Sequence, residues 1–198
     1  MIPLSIEKLA EIINAQTAVG LSTDTIASVS IDSRKITPHC VFFAIKGENH
    51  DGHDYLKQVF ENGGACAVIC DKSKVISGKP ILIVRDTIKA LSDLAAYVRR
   101  NSSYKVVAVT GSAGKTTTKN IISCVLKTKF RCYTSPKSFN NHIGVPLTIL
   151  DAPADTEILI AELGSNHPGE IEQLARMIEP DIAVVTAIVP AHLEGFGS

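Results

Sequence analysis

The most informative stretch of the chain is Lys105-Val-Val-Ala-Val-Thr-Gly-Ser-Ala-Gly-Lys-Thr-Thr-Thr-Lys119. Its apolar, β-branched first part predicts a buried strand, which Gly111-Ser-Ala-Gly114 interrupts, and apolar residues at helical spacing then continue to about Lys129. A strand, a glycine-rich loop, a Lys-Thr pair and a helix are typical of a phosphate-binding loop. Backbone N–H groups and the positive end of the helix dipole attract an anion there.

Each residue of this loop has a predicted task. Lys115 is expected to reach the outer phosphates of a nucleotide, and the Thr116 hydroxyl to ligate Mg²⁺. The usual loop begins with a glycine six residues before the lysine, where this chain has Val109, so the motif is a shortened G-x-x-G-K-T. The alternative interpretation is an ordinary glycine-rich turn between a strand and a helix. The predicted ATP-binding residues are Gly111, Ser112, Ala113, Gly114, Lys115, Thr116 and Thr117.

Composition excludes several classes of protein. The chain has 198 residues, enough for one large or two small domains, and its 20 acidic residues balance its 20 basic residues. It therefore lacks the basic excess of a nucleic-acid-binding protein. No signal-peptide pattern and no apolar run near the length of a membrane span is found, so a cytoplasmic protein is expected. We also expect a monomer. The five cysteines are irregularly spaced, which favours free thiols.

Strands alternate with helices along the whole chain, which predicts an α/β fold with parallel sheets. We expect a small α/β domain over residues 1–84, a connecting helix within 85–104, and a P-loop parallel-sheet ATPase domain over 105–198 that is truncated. A short helical piece at 143–150 is expected to be interrupted by Pro146, and Pro168 is expected to begin the next helix. The other predicted helices are 5–14, 55–62 and 86–101, and the predicted strands are 29–31, 41–45, 66–70, 81–84, 131–134, 158–162 and 182–185.

Polar residues follow several of the predicted strands. Because ligands of a parallel sheet bind beyond the carboxyl ends of its strands, these residues are candidates for the same site. Glu162 ends an apolar strand, where a carboxylate is costly unless it is paired or bound to a metal, so Mg²⁺ shared with the nucleotide is one interpretation and a solvated strand end is the other. His192 follows the last strand, and a lone loop histidine is a weak signal.

The first half carries basic residues after two strands. Asp32-Ser-Arg34 and Lys46-Gly47 follow adjacent predicted strands. Arg34 and Lys46 are suited to hold a phosphate-bearing substrate. The alternative is ordinary surface charge.

Several motifs together resemble the Mur ligases, which build the peptidoglycan precursor. The resemblance covers nearly the whole chain and includes the missing first glycine of the loop. The matching stretches are Asp32-Ser-Arg-Lys-Ile-Thr-Pro38, Phe42-Phe-Ala-Ile-Lys-Gly-Glu48, Asp51-Gly-His-Asp54, Thr110–Thr118, Ser138–Thr148, Glu162–Ile171 and Ala191–Ser198.

The resemblance implies an ATP-dependent ligase that joins D-alanyl-D-alanine to UDP-N-acetylmuramoyl-tripeptide through an acyl phosphate. It implies that Lys115 stabilises the transferring phosphoryl group, that Thr116 and Glu162 ligate one Mg²⁺, and that His192 ligates a second. It places Ser33, Arg34, Lys46 and Gly47 near the UDP end of the substrate, and Asn140 and Asn141 in a loop that lines the active site.

Two departures from the family pattern qualify these expectations. Ile188-Val-Pro190 stands where relatives more often have Asn, then Ile or Val, and then Gly before the Pro-Ala-His or Ala-Ala-His motif. Relatives also continue beyond the equivalent of Ser198 with a carbamylated lysine, the rest of the sheet and a C-terminal domain. We therefore expect this polypeptide alone to bind nucleotide weakly and not to ligate.

Three other functions remain open from the sequence. The related ligase that adds the third residue of the stem peptide shares Asp-Ser-Arg and the ATP loop, but the Asn140-Asn-His-Ile-Gly144 and Ser165-Asn-His-Pro-Gly-Glu170 stretches argue against it. A non-catalytic module that binds a UDP-sugar or nucleotide is the second. A generic P-loop kinase or GTPase is the third, and it leaves the first half of the chain unexplained.

Overall fold

The computed structural model describes residues 3–17, 25–136 and 138–189. The chain divides into two compact units, and the boundary lies between Leu94 and Ala95. No helix among the described residues is long and apolar enough to cross a membrane.

The first unit alternates strands with helices, as the sequence predicts. Short 3-10 turns at Ser33–Lys35, Gly52–Tyr55 and Lys72–Lys74 complete its loops. Each of these turns is preceded by an aspartate whose side chain accepts a hydrogen bond from a backbone N–H two residues on. The elements are β1 (Leu4–Ser5), α1 (Ile6–Ile12), β2 (Gln16–Thr17), β3 (Thr25–Ile26), β4 (Ser28–Ser30), β5 (Cys40–Phe43), α2 (Leu56–Glu61), β6 (Cys66–Ile69), β7 (Ile81–Ile83) and α3 (Thr87–Arg100), which crosses the boundary.

The sheet of the first unit has the strand order β2-β7-β6-β5-β4. The strands from β4 to β7 are parallel, and only the edge strand β2 is antiparallel. Every residue of β5 and β6 is buried, as expected for parallel strands covered on both faces. Phe42, Leu56, Val59 and Ile69 pack together in the core between the sheet and α2. The antiparallel pair of β1 and β3 was not predicted.

The second unit contains a four-stranded parallel sheet in the order β11-β8-β10-β9. This arrangement confirms the predicted parallel sheet and puts the phosphate-loop strand in its middle. The elements are β8 (Lys105–Thr110), α4 (Lys115–Leu126), β9 (Cys132–Thr134), α5 (Gly144–Asp151), β10 (Ile158–Glu162), α6 (Glu170–Ile178) and β11 (Ile182–Val185).

Two predictions about prolines were wrong. Pro146 does not interrupt a helix, because it lies in the first turn of α5, where a backbone N–H is not needed for the helical ladder. Pro168 does not begin a helix either. α6 begins two residues later, after Gly169 has adopted a left-handed conformation with φ 87°.

A buried histidine links two loops of the first unit. The His53 side chain is 2% exposed, and its Nδ1 lies 2.6 Å from Asp51 Oδ1. The backbone N–H of Cys70 donates to His53 Nε2 at 3.1 Å, so Nε2 accepts and the proton resides on Nδ1. The backbone N–H of His53 also donates to Asp51 and lowers the pKa of that carboxyl. This ring therefore fixes the loop before α2 to the end of β6.

We expect the His53→Ala substitution to lower the free energy of unfolding by about 2–4 kcal/mol, because it leaves the Cys70 N–H without its acceptor and opens a cavity. Urea titration measures the loss. His50→Ala is the matched control, since His50 is exposed, and we expect a change within about 0.5 kcal/mol. Equal losses in the two variants would contradict a structural role for the buried ring.

Candidate phosphate-binding site

The loop between β8 and α4 is shaped by two glycines. Gly111 has φ 131° and Gly114 has φ 79°, conformations that residues with a side chain rarely adopt. A Cβ on Gly111 would overlap the Thr186 side chain and the backbone of Ala187. Close approach of two backbones therefore requires glycine at position 111, while Gly114 allows the chain to turn into α4.

The segment after β11 supports the other side of the loop. The Ser112 N–H donates to Ala187 O at 2.8 Å, and the Ser112 hydroxyl donates to Val189 O at 2.8 Å. The Thr186 hydroxyl lies within hydrogen-bond distance of Ala113 O. These contacts fix the backbone of the loop in a defined curve, as a preorganised anion site requires.

The two side chains with predicted phosphate and metal roles lie at the start of α4. Lys115 Nζ donates to Gly111 O at 2.7 Å, so its ammonium group lies over the loop. Thr116 Oγ1 donates to Glu162 Oε2 at 2.8 Å. The structure therefore brings together the lysine, the hydroxyl and the carboxylate that the sequence singled out.

Glu162 is buried at the carboxyl end of β10. Its exposure is 2%, and it is in register with Val109 of the neighbouring strand β8. Asn140 Nδ2 donates to Glu162 Oε1 at 2.8 Å, so each oxygen has one neutral donor. A solvated strand end, the alternative that the sequence allowed, is excluded by this burial.

The donors around Glu162 fit a magnesium ion that is shared with phosphates. Thr116 Oγ1 and Glu162 Oε2 lie 2.8 Å apart. Adjacent ligands in an octahedral site with bonds of 2.0–2.1 Å lie about 2.9 Å apart, and Mg²⁺ prefers such oxygen donors. Among the described residues no group of three or more His, Cys, Asp or Glu side chains is placed to hold a metal. A cation bound here would therefore depend on nucleotide oxygens for further ligands.

A cavity of about 360 Å³ lies beside Lys115. Its wall includes Asn140, Asn166 and His167, from two of the loops that the sequence analysis singled out. Glu170 accepts from the backbone N–H groups of Asn166 and His167, which lowers the pKa of its carboxyl to about 2. The cavity is thus lined by amide and imidazole groups next to the phosphate loop.

Asn141, unlike Asn140, has a local structural contact. Its Oδ1 accepts from the N–H groups of Ile143 and Gly144 at 3.2 and 2.8 Å, and it thereby caps the start of α5. Asn141 also lines the cavity beside Lys115. His192, the predicted second metal ligand, lies outside the described residues.

A separate cavity of about 560 Å³ lies in the first unit, and Ser33 and Arg34 line it. Arg34 pairs with Asp32 at 2.8 Å, and the hydrogen bonds from Arg34 lower the pKa of the Asp32 carboxyl to about 2. Ser33 donates to Gln58 Oε1. Lys46 and Gly47 lie in the turn that Asp51 closes and are not among the described residues that line this cavity.

Sequence reasoning missed two buried polar residues of the second unit. Lys119 is 2% exposed and Ser135 is 3% exposed, and they form a hydrogen bond. Lys119 lies three residues after Thr116, so helical periodicity puts both on the same face of α4. That spacing was the available signal, but the partner 16 residues away was not predictable from it.

The fold and the site define a class of protein. In this class a small α/β unit is followed by a parallel α/β unit with a phosphate-binding loop and a buried acid. The family model for the Mur ligase middle domain matches residues 109–198. The model for the Mur ligase family, catalytic domain, matches residues 25–102. The chain belongs to the Mur ligase family.

Individual relatives agree with this assignment. The chain is 39% identical to the UDP-N-acetylmuramoyl-tripeptide–D-alanyl-D-alanine ligases of Bacillus subtilis and Escherichia coli, each over 100% of this chain and over 44% and 43% of the relative. A crystal structure of MurF from Acinetobacter baumannii has a TM-score of 0.91 at 32% identity and covers 99% of this chain and 43% of that one. MurF ligase from Thermotoga maritima in complex with ADP has a TM-score of 0.77 at 35% identity, over 84% of this chain and 38% of that one. The chain spans less than half the length of these relatives.

We expect the Gly111→Ala substitution to lower the free energy of unfolding by at least about 3 kcal/mol, because it combines a forbidden φ with backbone overlap. Gly169→Ala is the control, since Gly169 also has a positive φ but nothing within 4 Å of an added Cβ. Its expected loss is about 1–2 kcal/mol. Chemical denaturation of both variants makes the comparison, and losses of the same size would rule out close backbone contact at Gly111.

Proposed function

We propose that this chain is the nucleotide-binding part of an ATP-dependent ligase that joins D-alanyl-D-alanine to UDP-N-acetylmuramoyl-tripeptide. The observation that carries the proposal is the contact of Thr116 at the phosphate loop with the buried Glu162. The names of the curated relatives support the substrates, and the ADP complex of a solved relative supports the nucleotide.

The reaction would begin with transfer of the γ-phosphoryl group of ATP to the terminal carboxylate of the tripeptide. The amine of D-alanyl-D-alanine would then attack the acyl phosphate, and inorganic phosphate would leave. Two anions must approach each other in the first step, so positioning by cationic groups is the main catalytic requirement. Lys115 meets that requirement by turning from Gly111 O to the transferring phosphoryl oxygens.

The metal would be held by Thr116 and Glu162 together with phosphate oxygens. Bound Mg²⁺ neutralises developing charge on the β- and γ-phosphates. Asn140 keeps one oxygen of Glu162 occupied, so the other oxygen and the Thr116 hydroxyl are the protein groups that change partner. We propose His192 as a ligand of a second Mg²⁺, on the ground of the family resemblance alone.

The cavity of the first unit is the proposed site for the UDP end of the substrate. Ser33 and Arg34 line it, and the turn with Lys46 and Gly47 adds an exposed cation. Arg34 is suited to a diphosphate because its side chain is 81% exposed and its guanidinium offers further donors beside those to Asp32. We propose that ATP and the UDP end of the substrate bind to different units of a cytoplasmic monomer.

We further propose that the 198-residue chain binds nucleotide without ligating substrates. The edge strand β11 leaves Ile182 and Val185 more than half exposed, and Ile188 after it is 89% exposed. Apolar side chains on an edge strand are normally covered by further structure. The chain spans 44% and 43% of the length of the two relatives.

The test of the nucleotide site is the substitution Lys115→Ala. We expect it to weaken binding of a non-hydrolysable ATP analogue at least about tenfold, because a charge-assisted hydrogen bond to phosphate is lost. Isothermal titration calorimetry with Mg²⁺ measures the affinity. Lys127→Ala, at the exposed carboxyl end of the same helix, should leave it within about twofold. Unchanged affinity in the Lys115 variant would remove this loop as the nucleotide site.

Activity is tested separately on the purified chain. With ATP, UDP-N-acetylmuramoyl-tripeptide and D-alanyl-D-alanine present, we expect no phosphate release above the level without the two acceptor substrates. Release that requires both acceptors would overturn the proposal that the chain does not ligate. A longer polypeptide of this family with measurable ligation is the positive control for the assay.

A further inference from the structure

A buried lysine on α4, the helix that follows the phosphate loop, has no role in the proposed reaction. Lys119 lies on α4 and is 2% exposed. Its Nζ donates to Ser135 O at 3.0 Å and lies 3.4 Å from Ser135 Oγ. Burial lowers the pKa of Lys119, and the charge of Glu162 acts in the opposite direction. An ammonium group in this position is costly unless its contacts contribute something specific.

The contacts of Lys119 lead to the carboxylate of the site. Ser135 begins the loop that follows β9, and its N–H donates to Ile160 O on β10 at 3.3 Å. Five residues further along the same loop, Asn140 donates to Glu162 Oε1, and Asn140 O accepts from the Gly164 N–H at 2.7 Å. One end of this loop is thus bound to α4 and the other end to the residues around Glu162.

The orientation of Glu162 depends on Asn140. Thr116 is itself a proposed metal ligand, so its hydrogen bond to Oε2 is exchanged when metal binds. Among the described residues, the amide of Asn140 on Oε1 is then the remaining hydrogen bond that resists rotation of the carboxylate. Groups that hold a ligating carboxylate in this way typically change metal affinity 10–100-fold when they are removed.

We propose that Lys119 is a positioning residue for magnesium: through Ser135 it holds the loop that keeps the Asn140 amide on Glu162. This inference rests on the proposed nucleotide site and adds a residue to it. Lys119 touches neither the nucleotide nor the metal in this scheme.

The first experiment measures the loop without nucleotide or metal. Lys119→Met keeps an unbranched apolar side chain, one atom shorter than that of lysine, and removes the charge and the donors. By hydrogen–deuterium exchange we expect the Gly164 amide to exchange at least about tenfold faster, because Asn140 O no longer holds it. Lys127→Met is the control on the exposed end of the same helix. If Gly164 protection is the same in both variants and the wild type, the proposal is wrong.

The second experiment measures the Mg²⁺ concentration at half-maximal binding of a fluorescent ATP analogue. We expect Lys119→Met and Asn140→Ala each to raise that midpoint about tenfold or more. The double variant should raise it no further, because both changes remove the same support. Affinity for the analogue without Mg²⁺ should stay within about twofold, since the backbone of the phosphate loop, residues 111–114, is unchanged.

The outcomes separate the two proposals. Equal weakening with and without Mg²⁺, or additive effects of the two substitutions, would assign Lys119 a merely structural role and overturn the inference. Failure of the wild type to bind the analogue would count against the proposed function, and the exchange experiment would still decide the inference. Should Lys119→Met not fold, Lys119→Gln has the same expected results, because its shorter amide cannot reach Ser135 O.

Discussion

The buried carboxylate of Glu162 is the constraint on which the arrangement of the second unit depends. A carboxylate that is 2% exposed requires donors, and the two that the structure supplies come from different elements. Thr116 reaches it from α4, and Asn140 reaches it from the loop before α5. β10 pairs in parallel with β8, the strand that leads into the phosphate loop. Glu162 at the end of β10 therefore lies beside that loop. The buried carboxylate therefore fixes the side chains of Thr116 and Asn140 beside the phosphate loop.

A buried polar side chain also fixes two loops of the first unit, and there it is a histidine. His53 is buried and satisfied on both nitrogens, by Asp51 on one side and by the Cys70 N–H on the other. That pair of contacts fixes the loop that contributes Gly52 and Tyr55 to the cavity of this unit. Both candidate sites therefore rest on a buried polar side chain whose partners lie on separate loops. Such networks stabilise one conformation of a loop more effectively than surface contacts do, because an unmade hydrogen bond is costly in the interior.

The sequence was sufficient for most of the strands and helices, because these follow from local periodicity, but not for the short strands β1, β2 and β3. Lys115 and Thr116 were found from the phosphate-loop motif, and Glu162 from its place at the end of an apolar strand. Pairings between loops were not predictable in the same way. Nothing in the spacing of Asn140 and Asn141 indicates that the first contacts Glu162 while the second caps α5. From the sequence alone, Lys119 cannot be distinguished from an exposed lysine of a helix, because only the tertiary structure shows that it is buried. α6 begins after the left-handed conformation of Gly169, whereas Pro168 favoured a start two residues earlier.

The contribution of Lys115 to affinity for a nucleotide would be a difference between two hydrogen bonds. Lys115 already donates to Gly111 O at 2.7 Å, so in the proposed complex it would exchange that hydrogen bond for one to phosphate. The gain is the difference between a bond to a neutral carbonyl and a charge-assisted bond to an anion. Thr116 would make a similar exchange if it left Glu162 for the proposed metal. Asn140 would keep its partner in both arrangements, so its hydrogen bond orients the carboxylate before any ligand binds. Preorganisation of this kind depends on groups that do not move, so the buried contact of Asn140 with Glu162 would matter to the proposed site as much as Lys115 does.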